Sequence, residues 1–102
     1  MKYQLVLQLP ASSIEDYDEL IELEDMIIEG IGNLGSVDGH DAGSKEMNIF
    51  IYTDEPQLAF ERIMACPGLK DAIPDLKVAY REIGKSDFTI IHPSNLNYFA
   101  IA

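Results

Sequence analysis

The chain has 102 residues, 47% of them hydrophobic, with 18 acidic against 7 basic side chains for a formal net charge of -11. That length suits one compact domain with a single core and not two. The charge argues against naked nucleic acid and against a membrane surface of anionic lipid, whose phosphates an unscreened acidic face repels. Cys66 is the sole cysteine, so an intramolecular disulfide, a cysteine-built zinc site and an iron–sulfur cluster cannot form within one chain. A reducing cytoplasm is the expected compartment, and no cofactor is expected.

In chain order, Tyr3, Leu5, Leu7 and Leu9 alternate with Lys2, Gln4, Val6 and Gln8, which predicts a strand with one fully apolar face. Its glutamines interrupt the apolar run, unlike the core of a signal peptide, and nowhere is there the stretch of about 18 apolar residues that a membrane span needs. Pro10 ends the strand. Ser12-Ser13-Ile14-Glu15 has the spacing of a capping box and opens a first helix, acidic in its first turns and stopped by Gly30-Ile31-Gly32-Asn33.

Residues 36–44 are polar and glycine-rich. They predict a short, bulged strand or an extended loop that pairs with the clear strand Met47-Asn48-Ile49-Phe50-Ile51-Tyr52. A second helix follows Thr53-Asp54-Glu55-Pro56, with Asp54 as its N-cap and Pro56 in the first turn, where the missing N–H does no harm. Leu58, Ala59, Phe60, Ile63 and Met64 form its buried side, and Cys66-Pro67-Gly68 closes it. A turn at 71–74 leads to a strand at 76–81, which Gly84-Lys85-Ser86-Asp87 joins to Phe88-Thr89-Ile90-Ile91 as a hairpin. Residues 95–102 carry no assignable pattern.

This order predicts an α+β fold: a ferredoxin-like βαββαβ sandwich with an additional C-terminal strand and both helices on one face of an antiparallel sheet. The covered face is expected to hold Leu5, Leu7, Ile49, Ile51, Val78 and either Phe88 or Ile90. Gln4, Gln8, Asn48, Phe50, Tyr52 and Arg81 fall on the other. An open face mixing aromatics with amides suits a homodimer or a ligand, and equally suits plain solvation, since scattered exposed apolar residues are normal.

Between Lys2 and Lys45 there are ten carboxylates and no Lys or Arg, and eight of the ten lie in the helix at 15–29. At ~100° per residue, Tyr17, Leu20, Ile21, Ile27, Ile28 and Ile31 share one stripe, and Glu24 falls near its middle. A carboxylate on a buried face is costly unless paired or hydrogen-bonded. Glu24 therefore needs a partner, either a nearby backbone group or Tyr hydroxyl, or His40 from the segment Asp38-Gly39-His40-Asp41. An imidazole and a carboxylate in contact can act as a proton shuttle, a pH-sensitive latch or two ligands of a divalent metal.

Against that, Asp38-Gly39 and Asp41-Ala42-Gly43 are ordinary turn chemistry, and no spacing here matches a named metal motif, nucleophile elbow, phosphate loop or dinucleotide fingerprint. His92 suits a strand end. Cys66 suits a small core position, with no basic cluster near it in sequence to activate its thiol.

The block Val37-Asp38-Gly39-His40-Asp41-Ala42-Gly43-Ser44, with Met47-Asn48-Ile49-Phe50-Ile51-Tyr52-Thr53-Asp54 after it, resembles the central segment of a group of small bacterial proteins of unassigned activity. The similarity runs from the first strand to Val78-Ala79-Tyr80-Arg81. It implies that Asp38, His40, Asp41 and Asn48 belong together, and it implies no activity.

Two function classes remain. The first is a binding or regulatory module, dimeric through its open sheet face, that engages a basic protein partner through the acidic helix; an inhibitor of a cationic toxin, of the immunity type, is one concrete form. The second is a small-molecule or metal site built from Glu24, Asp38, His40 and Asp41. In an enzyme Glu24 or His40 would be the general base and Asn48 would orient the substrate. The first is favoured because no complete catalytic constellation is visible.

Overall fold

The computed structural model describes residues 2–13, 17–42, 45–66 and 75–101. Five strands form one antiparallel sheet: β1 (Tyr3–Pro10), β2 (Gly35–Ala42), β3 (Glu46–Thr53), β4 (Lys77–Glu82) and β5 (Thr89–His92), in the spatial order β2-β3-β1-β4-β5. Helix α1 (Tyr17–Ile31) connects β1 to β2, and α2 (Pro56–Met64) lies between β3 and β4. The expected hairpin of the last two strands is present as the β4–β5 pair. No helix among the described residues is long and apolar enough to cross a membrane.

The period-two pattern of β1 decides where the core sits. Leu5, Leu7 and Leu9 face the helices and pack with Ile49, Ile51 and Val78 of the neighbouring strands, with Leu20, Leu23, Ile27 and Ile31 of α1 and with Ala59 and Ile63 of α2. The helices meet closely at Gly30, where an added Cβ would stand 2.5 Å from Cys66 Sγ. One assignment within α1 changes: Leu23 is buried, while Ile28 is 50% exposed. The buried stripe is rotated toward α2 relative to the sequence expectation.

The opposite sheet face carries a second, smaller cluster. Val6 and Ala79 are fully buried there beneath Phe99, with Phe50, Phe88, Ile90, Leu96 and Ile101 around them. Phe88 and Ile90 thus lie on this side and not among the helix-facing residues, because Ile90 stands opposite Ala79, which faces away from the helices, and Phe88 is two residues before it. The patternless C-terminal segment is what covers this face. Gln8 pins it there, its Nε2 donating to Ala100 O at 2.9 Å and to Asn48 Oδ1 at 3.0 Å. A second copy docking on this face would have to displace Phe99.

The entry to α2 also differs from expectation. Asp54 accepts a hydrogen bond from the Lys2 backbone N–H at 2.8 Å and does not cap the helix. Thr53 is the organiser instead: its buried hydroxyl donates to Leu34 O at 2.6 Å and accepts the Glu55 N–H at 3.0 Å, tying the end of β3 to the turn after α1. Pro56 stands at the start of the helix as expected. The predicted capping box is described only at the 3₁₀ turn Ala11–Ser13. The rest of that box, the Tyr17 side chain, the Pro67-Gly68 stop and the turn at 71–74 lie outside the described residues.

Candidate functional site

Glu24 stands on the inward side of α1 and is 8% exposed. His40 Nδ1 lies 2.7 Å from its Oε1. That oxygen is shielded from solvent and receives no well-aligned hydrogen bond among the described residues, so the imidazole contact is what compensates it. The contact links the first helix to the edge strand β2.

A β-bulge brings the two together. Val37 and His40 are an odd number of residues apart and would face opposite sides of a regular strand. The ladder nevertheless sets Val37 opposite Ile51 and His40 opposite Ile49, both helix-facing positions, because the register shifts between Val37 and Gly39. One residue is absorbed in the bulge. Gly39 there has φ of 136°, a conformation that side-chain-bearing residues rarely adopt.

The same bulge separates the other candidate residues from the pair. Asp38 lies within it and is exposed, and Asp41 is exposed opposite Asn48 on the side away from the helices. Asn48 is buried and accepts the hydrogen bond from Gln8. Of the five residues singled out in the sequence, the structure places Glu24 and His40 in contact. Among the described residues no group of three or more His, Cys, Asp and Glu side chains is arranged to hold a metal ion.

The remaining acids of α1 point to solvent. Asp18, Glu19, Glu22, Asp25 and Glu29 are all exposed. Asp18, Glu22, Asp25 and Glu29 recur at helical spacing and form a ridge opposite Leu20, Ile27 and Ile31. Several basic side chains are engaged elsewhere. Lys77 pairs with Glu46 at 3.7 Å, Lys85 with Glu82 at 3.3 Å, and Arg81 donates to Gln4 Oε1 and Lys85 O. In comparisons with known proteins, no family model, no curated protein and no solved structure matches the chain.

Proposed function

We propose that this chain is a small acidic binding module of ferredoxin-like architecture that engages a basic protein partner through the outer ridge of α1. The observation that carries the proposal is the exposed carboxylate ridge on a helix whose last turn holds no basic residue. The order β2-β3-β1-β4, with β5 added at the edge, supports the architectural part. The central block's likeness to small bacterial proteins and the reducing, cytoplasmic setting suggested by a lone thiol belong to the same proposal.

Opposed charge steers encounter before contact and raises the association rate, an effect that salt screens. The test compares the protein with a variant carrying Asp18→Lys, Glu22→Lys and Asp25→Lys, all at exposed positions. Basic proteins should be captured by the first and not by the second, with an association rate that falls steeply as salt is added. Equal capture by both, or a rate indifferent to salt, would refute the proposal.

A second reading rests on the 2.7 Å contact between Glu24 and His40. There the pair is the heart of a small-molecule or metal site, and in an enzyme one of the two would move a proton. Separate Glu24→Gln and His40→Ala variants should then lose the ligand while the fold stays intact.

A further inference from the structure

Among the described residues, α2 reaches the end of β5 through Phe60, which meets His92, and an open groove lies between them. Its volume is about 410 Å³, and it is lined by Phe60, Glu61, Met64, Ala65 and His92. That size falls within the roughly 300–1,000 Å³ of small-molecule sites, and the mix of aromatic and apolar walls with a few polar groups is theirs too.

The chemistry of the lining narrows the ligand. The Phe60 and His92 rings have centroids 5.8 Å apart at a tilt of 35°, and the half-buried Met64 adds a thioether that favours contact with an aromatic ring. The exposed carboxylate in the lining is Glu61. His92 also lines a smaller cleft of about 200 Å³ with Asp75, Leu76, Lys77 and Pro93, so that cleft already carries a cation, Lys77, whose ammonium is 3.7 Å from Glu46. In a chain of net charge -11, the field around the larger groove draws positive ligands and repels negative ones.

We propose that the groove between α2 and β5 binds a planar aromatic cation. The ligand's ring lies against Phe60 and His92, and its positive group is held by Glu61. This site is separate from the α1 ridge and stands whether or not that ridge binds a protein.

The test titrates the ¹⁵N-labelled full chain with tryptamine, with neutral indole and with indole-3-acetate, following amide shifts. Tryptamine should give saturable shifts centred on Phe60, Met64, Ala65 and His92, indole weaker ones at the same residues, and indole-3-acetate the weakest. Glu61→Gln, a change at an exposed position, should weaken tryptamine by about two- to fivefold, as an exposed ion pair would, and leave indole unchanged. Phe60→Leu, which keeps most of the packing volume, should weaken both. Three results would each overturn the proposal: shifts spread along the α1 acids and insensitive to Glu61→Gln, equal binding of the three probes, or no saturable shift at the groove.

Discussion

Glu24 is expensive where it stands, and its neighbour His40 decides how expensive. Removing the imidazole leaves a carboxylate oxygen shielded from water with no compensating group among the described residues. Replacing both partners by apolar groups removes the demand altogether. His40→Ala should therefore cost about 1–3 kcal/mol, whereas the pair Glu24→Met with His40→Leu should recover most or all of it. Urea denaturation midpoints of the three proteins check this. A midpoint unchanged in His40→Ala would mean that the contact does not hold the fold, and would shift weight to the reading in which the pair exists for a ligand.

The inward position of Glu24 was legible because a helix repeats every 3.6 residues, so one acid in an apolar stripe stands out. The fate of Asn48 was not. Its partner Gln8 is far away in sequence and is itself tied to Ala100 O in the tail, and neither link is encoded in local spacing. Thr53 was hidden for the same reason. Its two hydrogen bonds join the turn after α1 to the start of α2, while the sequence alone offers Asp54 as the more usual cap.

At the level of elements, β2 shows how a single extra residue redirects chemistry. The Asp-Gly dipeptide announced a turn or bulge, but not which way the following side chains would point. A strand's faces alternate strictly, so one absorbed residue exchanges them for everything beyond it. His40 gains the helix side and Asp41 loses it. Gly39, with φ of 136°, is the residue that permits this. Gly39→Ala should therefore destabilise the protein by about 1–3 kcal/mol through backbone strain and shift the His40 imidazole resonances as the bulge rearranges. A variant as stable as the parent with an unmoved His40 signal would show that the bulge is not what seats the histidine.

The β4–β5 pair serves the other side of the sheet. Phe88 and Ile90 face away from the helices because Ile90 pairs with Ala79, and the register shifts only beyond that pair, where Val78 stands opposite His92. By contrast, β1 and β3 pair without interruption from Tyr3 opposite Thr53 to Pro10 opposite Glu46. There the alternation in the sequence translates directly into faces. Regular pairing is readable in full, whereas at Asp38-Gly39 a bulge can be anticipated but not the face to which it turns the residues after it.

The whole molecule is a sheet buried on both faces by unlike means. Two amphipathic helices cover one side, and a segment without regular structure covers part of the other. The second cover lacks periodicity, which is why the sequence offered no sign of it, yet it buries Val6 and Ala79 completely. Its anchor is Phe99, 9% exposed and packed against Phe88 with ring centroids 5.0 Å apart. Its neighbour Tyr98 is 73% exposed. If the segment is part of the folded core, Phe99→Ala should cost about 3 kcal/mol, the usual loss for a buried phenylalanine, while Tyr98→Ala should change stability by less than about 0.5 kcal/mol. Thermal and urea unfolding of both variants measure the contrast. Equal, small effects would mean that the sheet face stands without its cover and is free to receive a second copy of the chain. A large loss confined to Phe99 would mean that the part of the face over Val6 and Ala79 is already occupied from within.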